Sequence, residues 1–223
     1  MRKIIGSAFV SLDGVMQGPG GPTEDPTGGF KYSGWVPPNA DEASGNKVGE
    51  LFNRSFDLLL GRRTYDIFAA FWPYYDEGPA KPIGEIFDWV RKYVVTRGEK
   101  PLTWQNSERV TSIEAVARLK NGDGPDLVIQ GSSTLYPQLL AAGLIDQLIL
   151  MTIPVVLGSG KRLFGEHSPG SAMRMIDHTV SAGGNMVATY EPAGTVKTGT
   201  FATDEPSEAE VARRKAMTDT GTW

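Results

Sequence analysis

The 223-residue chain contains no cysteine. That single absence excludes disulfides, thiolate metal sites and thiol nucleophiles together, and it fits a cytoplasmic protein. Histidine is almost as scarce: His167 and His178 are eleven positions apart with no paired acid beside them, so no metal site is expected. No apolar run approaches the roughly 18–20 residues that span a bilayer. Met1-Arg2-Lys3 and the apolar stretch behind it imitate a secretory leader, but Asp13 and Gly14 interrupt it and no small-residue cleavage pattern follows. Neither charge dominates: 22 Lys and Arg stand against 26 Asp and Glu, which gives no electrostatic reason to expect nucleic acid or an anionic membrane as partner. There is no internal repeat and no G-x-S-x-G nucleophile turn. Gly158-Ser159-Gly160-Lys161 imitates a phosphate loop, yet Val155 and Arg162 stand where glycine and Ser/Thr are required. Gly18-Pro19-Gly20 fails as a dinucleotide fingerprint because no helix can start among those prolines.

What is present alternates. Residues 3–12 form a β-rich run ending at Asp13-Gly14. Residues 17–40 are so dense in Gly and Pro that only a loop is compatible, with Phe30, Tyr32 and Trp35 set in it, and those aromatics favour a lid over disorder. Periodicity then predicts helices near 41–55, 64–71, 83–90, 112–121 and 133–142, with Thr111 and Glu114 at capping-box spacing before the fourth. Strands are predicted at 57–60, 93–95, 126–129 and 147–153, and a closing hairpin at 173–181 and 185–191. The pattern implies an α/β fold with a mainly parallel central sheet, helices on both faces and a C-terminal antiparallel hairpin. Residues 194–223 carry few large apolar groups and read as a polar tail with a weak helix near 207–217, so the domain is placed at 1–193.

Three strand-to-turn sites share one design: an apolar strand, a small residue, then hydroxyls or arginines. They are Leu60-Gly61-Arg62-Arg63-Thr64, Val95-Thr96-Arg97 and Ile129-Gln130-Gly131-Ser132-Ser133-Thr134. Ligands of open parallel sheets sit beyond the carboxyl ends of the strands. There glycine allows close backbone approach, helix-start N–H groups favour anions and arginine forks onto phosphate. Three such turns suggest a dinucleotide or other polyphosphate. Solvated charges and ordinary helix caps would look the same at any one of them.

Together with Ser11-Leu12-Asp13-Gly14 and the run Pro154 to Gly160, these turns occur in an order that resembles the dihydrofolate reductase-like superfamily. Within it they resemble the C-terminal reductase domain of bacterial riboflavin biosynthesis, over about residues 2–192. The resemblance implies a three-layer dihydrofolate reductase-like fold and NADPH as hydride donor. It assigns Gly61, Arg62, Arg63, Thr64, Thr96 and Arg97 to the 2′-phosphate end, Gly131, Ser132, Ser133 and Thr134 to the pyrophosphate, and Ala8, Val15 and Met16 to the nicotinamide end. On the substrate side, Trp35 followed by Asp41 and Glu42 is similar to the segment where dihydrofolate reductases place a tryptophan and a substrate carboxylate, and Asp13 matches the S-L-D-G motif of the riboflavin type. Asp13 also reads as a structural turn residue, and Asp41 and Glu42 as ordinary first-turn acids. The aromatics Phe68, Phe71, Trp72, Tyr74 and Tyr75 read as core or interface packing, or as a substrate wall.

The expected activity is NADPH-dependent reduction of a small heterocycle or carbonyl compound of the pterin or ribosylaminopyrimidine type. A homodimer is expected, with Leu144, Leu148 and Leu150 available for its interface. Two other readings stay open: a nucleotide-binding sensor or scaffold of the same fold without turnover, and a different small-ligand protein such as a phosphosugar binder.

Overall fold

The computed structural model describes residues 1–78, 80–165, 168–202 and 204–221. The expected His167 lies outside them. The order is β1 (Ile4–Ser11), α1 (Glu42–Phe52), β2 (Phe56–Gly61), α2 (Arg62–Ala69), α3 (Lys81–Trp89), β3 (Lys92–Val95), β4 (Ser107–Val110), α4 (Ile113–Asn121), β5 (Asp126–Gln130), α5 (Leu135–Ala141), β6 (Gln147–Ile153), β7 (Met173–Val180), β8 (Met186–Pro192) and α6 (Glu208–Thr220). The strands make one sheet in the order β4-β3-β2-β5-β1-β6-β8-β7. All pairs from β4 to β6 are parallel, and β8 and β7 close the sheet antiparallel. The mainly parallel sheet with helices on both faces and an antiparallel closing hairpin is as expected. Among the described residues no helix is long and apolar enough to cross a membrane.

The strands fold this way because β1, β2, β3 and β5 read as nearly continuous apolar runs, which only a sheet covered on both faces can bury. Even-numbered β1 residues Ile4, Ala8 and Val10 join Leu59, Leu127, Ile129, Tyr136 and Leu139 under α4 and α5. Ile5 joins Leu58, Leu60, Val94 and Val128 beneath α1, α2 and α3 on the other face. A third cluster of Val15, Phe30, Trp35, Val36, Ile153 and Leu157 lies within and under the 17–40 segment.

Several expectations need correction. The fourth helix is capped by Ser112, whose side chain accepts from Ala115 N–H, and not by Thr111. Strand β4 escaped the periodicity because Ser-Glu-Arg-Val is polar and pairs on one side only. Leu148 cannot serve an interface: it is 1% exposed and packs in the core with Tyr136. Most of the aromatic group resolves as packing, Phe68 and Trp72 lying 5.8 and 5.2 Å from the Phe87 ring, while Phe71 and Tyr74 are exposed. Helix α6 buries no residue.

Gly6 is where β1 meets α5. A Cβ there would come within 2.6 Å of both Leu148 Cδ2 and Tyr136 Cε1. Overpacking of this kind costs about 1–3 kcal/mol, so Gly6→Ala should lower urea-unfolding stability by that amount. Gly45, inside α1 with open space around it, is the counterpart. Gly45→Ala should raise stability by about 0.5–1 kcal/mol in the same assay.

Candidate active site

The strand order sets β3, β2, β5 and β1 side by side, so their carboxyl ends carry all the singled-out turns along one edge. Ser132 joins two of them. Its Oγ accepts the Gly61 N–H at 2.9 Å and donates to Thr64 Oγ1 at 3.0 Å. Gly131 and Ser132 both have positive φ, +74° and +66°. For serine that conformation is uncommon, and the two hydrogen bonds hold it there. Ser132 is therefore a tie between α2 and the β5 turn before it is anything else. It does not cap α5: Thr134 is the cap residue and makes no side-chain cap bond.

Among the described residues, the backbone N–H groups of Ser132, Ser133 and Thr134 have no acceptor. Three free donors in succession beside Gly131, where a Cβ would sit 3.4 Å from the Thr64 methyl, make an anion cradle. The two arginines after Gly61 have different positions. Arg62 is engaged inside the fold: it pairs with Asp66 at 2.8 Å, donates to the carbonyls of Lys100 and Pro101 and lies over the Tyr65 ring. The Arg63 side chain is exposed and makes no ion pair or hydrogen bond among the described residues, and the exposed Arg97 acts on Glu114 only through its charge. Thr96 lies between them and Val110, its N–H on the Val110 carbonyl and its Oγ1 accepting from Gly98. The edge thus carries three unpaired amides and two exposed arginines, while Arg62 braces the start of α2.

The carboxylates do otherwise than expected. Asp13 accepts from the Ser11 hydroxyl at 2.6 Å, from Leu157 N–H at 3.0 Å and from Gly158 N–H at 2.9 Å. These bonds, the hydroxyl's first, hold its pKa down at about 2. Asp41 caps α1 in a capping box with Ser44 and accepts from Asn185, which ties the helix to the β7–β8 turn. The Ser181 hydroxyl and then the Ser44 N–H lower its pKa to about 2. Both carboxylates are held ionised by these bonds, each within the turn or helix start it closes. Trp35, the third of the expected catalytic residues, is packed within the loop. Its indole donates to the Gln17 carbonyl at 2.9 Å and its ring is buried in the loop's own core. Ala8 and Met16 are buried in the α4–α5 core and Val15 beneath Phe30 and Gly160, so their side chains face packing.

Nothing in the residue pattern signals what organises the loop. Gln17 is buried, donates to the carbonyls of Asp25 and Thr27 and accepts from Lys161 N–H, while the Lys161 ammonium pairs with Asp25. Residues 17–40 are thus a packed roof. Two further polar side chains meet here: Ser7 and Gln130, in register on β1 and β5. The signal was available for Ser7, the one polar residue in the run Ile4 to Val10. Among the described residues no group of three metal-capable side chains occurs.

Residues 2–189 match the family model described as the RibD C-terminal domain. An uncharacterized protein of Bacillus subtilis (strain 168), YyaP, is 28% identical over 189 residues, covering 82% of this chain and 91% of its own. A putative riboflavin biosynthesis protein from Shewanella sp. PV-4 superposes with a TM-score of 0.60 at 22% identity, over 86% of this chain and 99% of that one. Dihydrofolate reductase from Enterococcus faecalis, solved with NADP(H), superposes with a TM-score of 0.53 at 14% identity, over 85% and 96%.

The Asp13 geometry has a pH consequence. A depressed pKa means that its stabilisation is complete above the ordinary value near 3.8 and is lost as pH falls toward about 2. Asp13→Asn should therefore melt below wild type at pH 7, and the gap should close between pH 4 and 2 when melts are followed by circular dichroism.

Proposed function

The chain belongs to the RibD C-terminal domain family, and on that premise we propose that it is an NADPH-dependent reductase of a small heterocycle or carbonyl compound related to pterins or ribosylaminopyrimidines. The observation that carries the proposal is the carboxyl edge itself. Three adjacent parallel strands bring the free amides of Ser132 to Thr134 and the exposed Arg63 and Arg97 to one edge. Ser132 to Thr134 would hold the pyrophosphate through backbone N–H groups, with Gly131 allowing close approach, and Arg63 and Arg97 the 2′-phosphate. No acid stands at the Gly61 turn to favour an unphosphorylated ribose.

Bound NADPH supplies a hydride for a polarised C=N or C=O carbon. The chain's own part would be to fix two ligands against each other and to keep bulk water from them, a task to which the packed 17–40 segment would contribute. Asp13 and Asp41 are held ionised and engaged by hydrogen bonds within the fold. The same engagement favours a second reading, a nucleotide-binding protein without turnover. The two part on whether NADPH is consumed over a panel of pterins and aminopyrimidines.

Fluorescence titration tests the cofactor assignment. Arg63→Ala and Arg97→Ala should each weaken NADPH binding about tenfold, the value of about 1.4 kcal/mol for one charge-assisted phosphate contact, and leave NADH binding unchanged. Arg62→Ala should instead lower the melting temperature, through loss of its ties to residues 100 and 101. Equal binding of NADPH and NADH by wild type would overturn the assignment.

A further inference from the structure

The amino ends of β2, β3 and β4 lie side by side, with Leu58 beside Lys92 and Lys92 beside Ser107. There residues 55–57, 89–91 and 106–108, with Pro125 ahead of β5, line a cleft of about 610 Å³. Small-molecule clefts run from about 300 to 1,000 Å³. From Asp57 to Gly61 is four residues along β2, roughly 13 Å. The cleft therefore lies at the opposite edge of the sheet from the unpaired amides and exposed arginines.

Its walls are tied to one another. Asn106 has a φ of +57°, and its carboxamide donates to the Trp89 carbonyl at 3.0 Å. Asparagine tolerates that conformation, and backbone held in it clusters at ligand sites. Asp57 accepts from the Arg91 N–H at 3.3 Å, which joins the other two walls. Against this frame the Trp89 ring is 81% exposed and stacks on no other ring among the described residues. Phe56, Val90 and Pro125 supply the remaining apolar lining.

The charges of the cleft fall into two groups. Asp57 is taken up by Arg2, which also donates to the Pro125 carbonyl and lies over the Tyr93 ring. Arg91 and Glu108 are left. Arg91 donates to the Tyr93 hydroxyl at 3.4 Å, and its nearest approach to the Glu108 carboxylate is 3.9 Å, beyond hydrogen-bond length. Both side chains are 59% exposed. A pair of this kind adds little to stability, and neither charge saturates the other. One cation beside one anion disfavours a ligand of a single sign and matches a ligand that carries both signs close together. We propose that the cleft binds a free aromatic amino acid, its ring on Trp89, its carboxylate on Arg91 and its ammonium on Glu108. This site is independent of the cofactor assignment.

Calorimetric titration of the full chain with L-phenylalanine, L-phenylalaninamide and N-acetyl-L-phenylalanine tests it. Phenylalanine should bind about tenfold tighter than either blocked form, since each has lost one charge-assisted contact. Trp89→Ala should weaken phenylalanine binding about tenfold. Arg91→Ala should bind phenylalanine and its amide alike, and Glu108→Gln should bind phenylalanine and its N-acetyl form alike. The three side chains are exposed, so the melting temperatures of the variants should stay at the wild-type value and show that any lost binding is local. Absence of phenylalanine binding by wild type, equal binding of the three ligands, or unchanged binding in Trp89→Ala overturns the inference. So does a preference for either blocked form, which would assign the cleft to a ligand of one sign.

Discussion

Tyr136 lies across Gly6 with its hydroxyl on the Ser7 carbonyl, and that contact fixes where α5 starts relative to β1. Only a residue without a Cβ lets the ring approach so closely, and only a buried acceptor satisfies a phenol that burial keeps protonated far above neutral pH. With α5 docked, the turn before it has no freedom left. Gly131 and Ser132 take left-handed conformations, Ser132 reaches the Gly61 turn, and the start of α2 is set in turn. The cradle of free amides is the far end of a chain of packing that begins in the middle of a strand.

The architecture was legible because its strands are short, apolar and punctuated by glycine. The site was legible only as a neighbourhood. Spacing identified Gly61, Thr96 and Gly131 as turns of one kind, and the sheet order places them in one line. It could not say which of two consecutive arginines would be engaged, since Arg62 is held by carbonyls at residues 100 and 101, nearly forty positions away. Nor could it assign Asp13 and Asp41, whose partners at 157, 158 and 185 lie across the whole domain. Strand β4 was invisible for the same reason: a polar tetrapeptide becomes a strand only when β3 offers it an edge.

The division of labour among polar groups follows from these placements. Charged carboxylates at the carboxyl edge act as staples, each saturated by backbone N–H groups and hydroxyls. Cations divide into one that braces α2 and two that face solvent. Ser7 Oγ and Gln130 Oε1, side by side on β1 and β5, are buried without a partner among the described residues. Family membership supplies the reductase chemistry in outline, and this distribution of charge is what the chain itself adds to it.

The roof has a core of its own, built from Phe30, Trp35 and Val36 on Val15, Ile153 and Leu157, and pinned by Gln17 and Lys161. It can detach without breaching either of the cores beneath the helices. Its amides should then exchange with deuterium through an opening smaller than global unfolding, as a cooperative unit separate from the sheet. Evolution can work on such a unit as a cassette: its sequence can be rewritten while the sheet and the two cores beneath the helices stay as they are.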